Sequence, residues 1–269
     1  MEFGVALGLE GRVALVTGAS RGIGFAIARA LHAQGARVGI VARDAEALGK
    51  AAVSLSRGDD SVLAVPADVT SMDSVRDAVK EIHAWGGRLD IVVNCAGPQL
   101  TPAPLAETAD SVLTSYLDVK LVGFHRVAVA TLPLLSDDGA GRIINIAGQT
   151  ARTLIPRAGV TGVTNAAVIA LTSYLASEGA ARNVLVNAIS PGMTLTEGWH
   201  SRHEAAASQQ GTSKEAVRDG MAKGLGIRLG RWASVDEIAN AAVFLASDLA
   251  SYITGQVLEV DGGLTKSAA

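Results

Sequence analysis

Short apolar runs alternate with longer amphipathic segments along almost the whole chain. The runs are rich in β-branched residues, which is typical of strands buried on both faces of a sheet. They predict strands at 13–16, 37–42, 62–66, 89–94, 142–147, 184–189 and 257–260. The segments between them predict helices at 25–34, 44–56, 71–85, 108–134, 159–181 and 234–247. This alternation predicts an α/β fold, a doubly wound parallel sheet with helices on both faces.

Residues 193–229 depart from this pattern, because they are rich in Gly, Ser, Ala and charge and contain no clear strand. In a compact domain an insertion of this length is usually a functional lid or a disordered segment. We therefore expect a single domain over 1–269 with a substrate lid at about 193–229. Right-handed crossovers bring the carboxyl ends of the strands to one edge, where such sheets bind ligands.

The segment 12–26, RVALVTGASRGIGFA, joins the first strand to the first helix through a glycine-rich turn. Its spacing is T-G-x-x-x-G-x-G, starting at Thr17. Glycines let the backbone approach a pyrophosphate, and a helix N-terminus offers unpaired N–H groups and a positive dipole end. A purely structural turn is the alternative, but the flanking strand and helix favour a nucleotide site.

The end of the second strand bears on the choice between NAD and NADP. NAD sites place an acidic residue about 20 positions after the glycines, on the ribose 2′-hydroxyl. Counted from Gly24, that position is Ala42, and Arg43 follows it. An arginine fork matches a 2′-phosphate, and Arg21 could add a second positive charge, so we predict NADP(H). Two solvated arginines, with Asp44 on the ribose, are the alternative.

The composition of the chain limits which kinds of binding partner are expected. The chain has 269 residues, 49% of them hydrophobic, and a mean hydropathy of +0.31, which is enough for one large core. No apolar run reaches the ~18 residues of a membrane span, and a net charge of −3 without a basic cluster favours neither nucleic acid nor anionic membranes. The single cysteine, Cys95, excludes an internal disulfide, and the start of the chain lacks a signal-peptide pattern. We expect a cytoplasmic protein with a small-molecule substrate and no metal.

Two further strands end in residues suited to the same edge. Asp68 follows the third strand and could accept from an adenine amino group, or it could cap a helix, although Ser71 is the better cap. After the fourth strand, Asn94 is followed by small residues at 95–97, which allow a flat ligand to approach closely. Cys95 is taken as a small buried residue.

With these segments assembled, the chain resembles the short-chain dehydrogenase/reductase family over almost its full length. The matching motifs are TGASRGIG at 17–24, DV at 68–69, NCAG at 94–97, GRIINIA at 141–147, VLVNAISPGMTLT at 184–196 and LGRWASVDEIANAAVFLASDLASYITGQVLEVDGG from Leu229. The resemblance implies a Rossmann-like sheet of about seven strands and a nicotinamide cofactor. It also implies a homodimer or homotetramer built on the helices at 108–134 and 159–181.

The resemblance assigns cofactor contacts by position. It implies Thr17, Gly18, Ser20, Arg21, Gly22, Ile23 and Gly24 at the pyrophosphate and Asp68 and Val69 at the adenine. It implies Asn94, Ala96 and Gly97 at the ribose, and Pro191, Gly192, Thr194 and Thr196 at the nicotinamide. Thr194 is expected to act through its backbone.

The family's catalytic tetrad is replaced at every position. Family members carry Asn, Ser, Tyr and Lys, in which Tyr supplies the proton, Ser orients the substrate oxygen, and Lys lowers the Tyr pKa and holds the ribose. Alignment on GRIINIA and VNAISPG, without gaps, puts Lys120, Gly148, Thr161 and Asn165 at these positions. None of the three tyrosines begins a Y-x-x-x-K, so no local shift recovers the motif.

We hypothesise that Lys120 replaces the lost lysine, with Asn165 bonding the ribose or a water. Alternatively, Lys120 reaches solvent and Asn165 only satisfies backbone groups. Thr161 is a poor substitute for tyrosine, since an aliphatic hydroxyl is far less acidic than a phenol. Other candidates for contact with substrate are Gln149, Thr150, Arg152 and Arg157, and in the lid Trp199, His200 and His203.

Three functions follow. The first is an NADP(H)-dependent oxidoreductase of altered mechanism, acting on an activated carbonyl, imine or conjugated C=C substrate whose anion is already delocalised. The second is a cofactor-binding regulator or non-catalytic subunit, consistent with an intact glycine turn beside a replaced tetrad. The third is a non-redox lyase, isomerase or cyclase, which the retained glycine turn disfavours.

Overall fold

The sheet has the predicted parallel, doubly wound architecture. A computed structural model describes residues 6–56, 58, 60–98 and 102–265. Seven strands form the main sheet in the order β3-β2-β1-β4-β5-β6-β9, and β7 pairs with β8 in a small second sheet. Their bounds are β1 Val13–Thr17, β2 Arg37–Ala42, β3 Val62–Pro66, β4 Ile91–Asn94, β5 Arg142–Ile146, β6 Leu185–Pro191, β7 Thr194–Leu195, β8 Ala233–Ser234 and β9 Val257–Val260.

Helices cover both faces of this sheet. Their bounds are α1 Gly22–Ala33, α2 Ala45–Leu55, α3 Met72–Gly86, α4 Asp110–Tyr116, α5 Gly123–Thr131, α6 Gly159–Gly179, α7 Glu197–Gln210, α8 Lys214–Leu225 and α9 Val235–Ala246. Buried residues of α1, α2 and α9 form one core, and those of α3, α5 and α6 form another. The strands between them are apolar on both faces because both faces are covered.

The predicted helix at 108–134 is wrong in one respect, because it is not continuous. A π-helical turn, Leu117–Val122, separates α4 from α5. A π turn inserts one extra residue into the helical register and is found most often at functional sites. The apolar pattern could not reveal it, since the pattern is helical on both sides.

Residues 193–229 are largely helical. They contain α7 and α8, which pack on a small apolar core of their own around Ile227 and Trp232. The amphipathic signal is weak because α7 buries few of its residues, among them His203 and Ala207.

Among the described residues, one helix, 159–182, is long and apolar enough to cross a membrane by length and composition alone, with a mean hydropathy of 1.3. Thr, Asn, Ser and Glu residues interrupt this helix, so it contains no continuous apolar run of about 18 residues. In the fold, however, α6 packs against β6, with Val168 and Leu175 buried. Asn145 of β5 donates a 3.0 Å hydrogen bond to Thr172, so a polar contact also fixes α6 to the sheet.

Candidate active site at the carboxyl edge of the sheet

The glycine turn lies directly against the end of β4. Gly18 has a φ of +67°, and a Cβ there would lie 2.8 Å from the Cα of Ala96. A Cβ on Gly24 would lie 2.3 Å from the carbonyl oxygen of Gly18. Only glycine fits at these two positions, because backbone occupies the space of a side chain.

The first turn of α1 is open to an anion. Arg21 occupies the N-cap position, and among the described residues no side chain caps the helix and its first turn carries no acidic residue. Gly22 has a φ of +60°, and its missing Cβ would lie 3.7 Å from the Cγ2 of Thr196, at the start of α7. Uncapped N–H groups at a helix N-terminus can bind a pyrophosphate. Here the segment at Thr196 lies next to them.

Two of the expected cofactor residues are turned away from the cleft. The Thr17 hydroxyl accepts hydrogen bonds from the backbone N–H groups of Cys95, at 3.0 Å, and Ala96, at 3.2 Å. Asn94 is fully buried and donates to Asn145 at 2.9 Å. These hydrogen bonds join the ends of neighbouring strands, and the two side chains support the cleft through the backbone that they hold in place.

Asp68 stands at the adenine end of the predicted site. Its Oδ1 accepts from the backbone N–H and the hydroxyl of Thr70, at 2.9 and 2.8 Å. Burial acts to raise the pKa of Asp68, but the Thr70 bonds and the positive charges of Arg43 and Arg126 outweigh it, so the pKa is lowered. Ser71 is the N-cap of α3, as the sequence suggested, which leaves Asp68 outside the capping role.

The arginine and the carboxylate after β2 differ in their contacts. Asp44 is the N-cap of α2 and accepts from the backbone N–H of Ala47 at 3.0 Å. Arg43 is exposed beside Asp68. The carboxylate that could have held a ribose is thus engaged in a helix cap, whereas the guanidinium faces solvent.

The nicotinamide end is built by the turn after β6. A Cβ on Gly192 would lie 2.5 Å from the Cα of Asp261, so the turn packs tightly on the end of β9. The Thr194 hydroxyl is buried and donates to the carbonyl of Gly192 at 3.1 Å. The Thr194 hydroxyl thus has a partner within the turn, and the expectation that Thr194 meets the nicotinamide through its backbone stays a prediction.

Lys120 points into the site. Its Nζ donates to the Ala147 carbonyl at 2.9 Å and to the Oδ1 of Asn165 at 2.6 Å. Asn165 in turn donates from Nδ2 to the Thr150 hydroxyl at 2.8 Å. The π turn thus carries a lysine to the end of β5 and the start of α6, and the solvent-facing alternative for Lys120 is wrong.

The surroundings of Lys120 alter its acidity. Burial lowers the pKa of Lys120 to about 8, although the neighbouring Cys95 opposes the shift. Burial raises the pKa of the Cys95 thiol to about 12, against the influence of Lys120. The lysine can therefore exchange a proton near neutral pH, whereas the thiol remains protonated.

The other two tetrad positions differ from one another. A Cβ on Gly148 would lie 2.7 Å from the Nδ2 of Asn165, so the Asn165 amide fills the space of a side chain at 148. The Thr161 hydroxyl donates to the Ala158 carbonyl at 2.8 Å, within the first turn of α6. Gly148 and Asn165 thus form one packed unit with Lys120, and Thr161 has a local partner of its own.

The loop after β5 is anchored by several polar contacts. Arg152 lies 3.1 Å from the Glu259 carboxylate, and Arg157 donates to the Pro102 carbonyl at 3.1 Å. Gln149 is buried and donates to the Met193 sulfur at 3.3 Å. Of the three, only Gln149 has a partner that is neither charged nor an oxygen.

Within residues 193–229, the two histidines are in different environments. His200 is exposed, whereas His203 is buried between Trp199 and Trp232, with ring centroids 5.8 and 4.6 Å away. Its Nε2 has no hydrogen-bond partner among the described residues. His203 thus packs in an aromatic cluster with Trp199 and Trp232.

We expect the packing around His203 to weaken in acid. Burial, and then the charges of His200 and Arg218, lower the pKa of His203 below 6.5, so its contribution to stability is complete above that value and is lost as the pH falls below it. Tryptophan emission followed during urea titrations at pH 7.5, 6.5 and 5.5 measures the loss, and a His203→Phe variant should lose less. The matched His125→Gln change, at an exposed histidine on α5, should retain the wild-type pH dependence; equal losses in all three proteins would contradict the assignment.

A family profile described as enoyl-(acyl carrier protein) reductase matches residues 18–265. D-threitol dehydrogenase of Mycolicibacterium smegmatis is 37% identical over 258 residues, 96% of this chain and 94% of that protein. The chain belongs to the short-chain dehydrogenase/reductase family. Gluconate 5-dehydrogenase of Gluconobacter oxydans is 33% identical, over 96% of both chains.

Solved structures of the short-chain dehydrogenase/reductase family superpose closely. L-sorbose reductase from Gluconobacter frateurii, complexed with NADPH and L-sorbose, has a TM-score of 0.91 and 33% identity, over 97% of this chain and 99% of that chain. NAD⁺-bound xylitol dehydrogenase has a TM-score of 0.86 and 29% identity, over 95% of this chain and all of that chain. These neighbours support a nicotinamide cofactor and an oxidoreductase activity, and they include both NADPH and NAD⁺ complexes.

Sequence reasoning missed one contact that joins the two ends of the site. Arg126 donates to the Val69 carbonyl at 3.2 Å and to the Asp118 carboxylate at 2.8 Å. It thereby ties the loop at the adenine end to the π turn that carries Lys120. No sequence signal marks this contact, since Arg126 and Asp118 are eight positions apart on what reads as one helix.

Proposed function

We propose that the protein is an NADP(H)-dependent oxidoreductase of altered mechanism, which reduces an activated carbonyl, imine or conjugated C=C substrate. The observation that carries the proposal is the inward position of Lys120, held by Ala147 and Asn165 where the family places its catalytic groups. When bound, the cofactor supplies the hydride. The chain must orient the substrate, exclude water and handle one proton.

Lys120 is the group we assign to the proton. An ammonium has three N–H donors, and two of them are used by Ala147 and Asn165, which leaves one for a substrate oxygen or nitrogen. A pKa of about 8 suits a general acid near neutral pH. The positive charge also stabilises negative charge that develops on the substrate.

The preference for an activated substrate follows from the side chains that could assist Lys120 as proton donors. Of the chain's three tyrosines, Tyr116 is buried on α4, and Tyr174 and Tyr252 are exposed. Thr161 already donates to Ala158. A substrate whose anion is delocalised needs less assistance from an acid, so one lysine suffices.

The test begins with titration of NADPH and NADP⁺ into the purified protein. NADPH consumption is then followed with enones, quinones, imines and ketones, including L-sorbose, because relatives are named for polyols and sugars. NADPH binding followed by turnover supports the proposal. Binding without any turnover would favour the regulator, and turnover without cofactor would favour a non-redox enzyme.

Our preference for NADP(H) over NAD(H) rests on Arg43. Its exposed guanidinium stands beside Asp68, while Asp44 is engaged in capping α2. We expect Arg43→Ala to lower the affinity for NADPH by about 10- to 100-fold, the range of one charge-assisted phosphate contact, and to leave NADH unchanged. Calorimetric titration measures both constants, with Arg29→Ala as a control for an exposed arginine outside the cleft. An equal effect on NADPH and NADH would argue against a 2′-phosphate contact.

We also propose that residues 193–229 act as the substrate lid and that the protein is a homo-oligomer. Thr196 lies against the Gly22 turn, which places the start of α7 over the proposed cofactor site.

On α6, Val163 and Tyr174 are exposed, and Val129 is exposed on α5, as a helical interface requires. Light scattering should give a dimer or tetramer, and Tyr174→Glu should shift it towards monomer.

A further inference from the structure

Gly148 has no side chain, and the residue that follows it, Gln149, carries the nearest polar side chain in the sequence. It is only 6% exposed and begins a short 3-10 turn, Gln149–Ala151. The next residue, Thr150, accepts from Asn165 and so belongs to the Lys120 chain. The Gln149 amide is therefore held on the same rigid turn as the groups that surround Lys120.

The partner of the Gln149 amide is unusually weak. Its Nε2 donates to the Met193 sulfur at 3.3 Å, and a thioether is a poor acceptor. The other buried amides of the described chain donate to oxygen, namely Asn94 to Asn145, Asn145 to Thr172, Asn165 to Thr150 and Asn187 to Ile253. Gln149 is thus a buried donor that a ligand oxygen would satisfy better than the protein does.

Met193 places this donor beside the reaction centre. It lies between Gly192 and Thr194, the residues expected at the nicotinamide, and its carbonyl accepts from Ala233 at 2.9 Å. Its side chain packs with the core of the lid segment. A methionine is unbranched and flexible, so it can leave the amide at little cost when a ligand enters.

We propose that Gln149 binds a substrate oxygen next to the reacting carbon, and that Met193 occupies the donor only until the substrate arrives. The inference rests on the proposed function and deepens it, since it selects substrates with a hydroxyl or carbonyl oxygen adjacent to the reduced group. A site that donates to such an oxygen rejects the analogue lacking it, because the donor then returns to sulfur.

The test compares 1-hydroxy-2-butanone with 3-pentanone, in which a methyl group replaces the hydroxyl. The ratio of their kcat/KM values is measured in wild type and in Gln149→Met, so that the intrinsic reactivities of the two ketones cancel. We expect Gln149→Met to lower this ratio at least tenfold, mainly through the KM of the hydroxyketone. Met193→Leu should not lower the ratio, because leucine offers the Gln149 amide no competing acceptor, whereas loss of a merely structural Gln149–Met193 contact would have the same effect from either side.

Binding to the NADP⁺-loaded protein, measured by calorimetry, provides a second readout that needs no turnover. A tenfold preference for the hydroxyketone that Gln149→Met removes supports the inference. An unchanged ratio in Gln149→Met, or no binding of either ketone, overturns it. If enones or quinones are still reduced in that case, the proposed function stands; if NADPH binds and nothing is reduced, the proposed function fails, and the binding ratio alone decides the role of Gln149.

Discussion

Lys120→Met should reduce turnover by about 100-fold or more, the usual contribution of a general acid, while NADPH affinity changes little. Lys120 contacts Ala147 and Asn165, and both contacts lie at the proposed substrate end of the site. Methionine matches the length of the lysine stem and removes only the amine. The measurement is steady-state kcat together with the NADPH dissociation constant, on any substrate that the wild type reduces.

The pH profile distinguishes proton donation from a positional role. Because burial lowers the pKa of Lys120 to about 8, wild-type reduction should fall about tenfold per pH unit above that value, as the ammonium is lost. Oxidation of the product should instead rise as the pH approaches 8 and level off above it, since it needs the neutral amine. Lys120→Arg keeps the charge but cannot release a proton, so its profile should lack the step near pH 8.

Lys80→Met is the matched control, since Lys80 is exposed on α3, far in sequence from the site. It should keep both the wild-type kcat and the step near pH 8. Full turnover in Lys120→Met would remove the lysine from the mechanism. A step that persists in Lys120→Arg would assign the titration to another group.

Much of the fold and of the cofactor end could be predicted from the sequence because both depend on local patterns. Apolar runs located the strands, and the order of strand, glycine turn and helix located the turn at Gly18 and Gly24 where we propose that the phosphates bind. These glycines are recognisable because backbone approaches them so closely that no other residue fits. A steric requirement of this kind leaves its mark directly on residue type.

The catalytic end could be predicted only in part, because its contacts join residues that are distant along the chain. The exchange of Lys120 and Asn165 suggested that the two act together, and their 2.6 Å contact agrees. The π turn that directs Lys120 inward has no signature in the apolar pattern. The Gln149–Met193 contact also leaves no signature in the sequence. Both residue types are common in loops, and the pairing is unusual only because it is buried.

A serine at position 148, where the sequence alignment expects the family's serine, should impair the proposed activity. The backbone at Gly148 is extended, with a φ of 166°, so a side chain there is not strained by the backbone itself. Its Cβ would, however, lie 2.7 Å from the Nδ2 of Asn165. Gly148→Ser must therefore displace Asn165 from Thr150 and Lys120, and a misplacement of about 1 Å near the reaction centre can cost up to about 100-fold in kcat/KM.

A double-mutant cycle isolates this clash from the chemistry of the new hydroxyl. Gly148→Ala should lower kcat/KM about as much as Gly148→Ser, but in an Asn165→Ala background the same change should cost little, because the amide that it strikes is gone. The coupling energy should fall in the range of about 0.5–3 kcal/mol typical of residues in contact, measured on kcat/KM and on thermal unfolding. Gly49→Ala, where a Cβ meets open space, should leave kcat/KM unchanged. Additive effects of Gly148→Ala and Asn165→Ala would mean that Asn165 does not depend on the missing side chain at 148, and the catalytic unit would reduce to Lys120 alone.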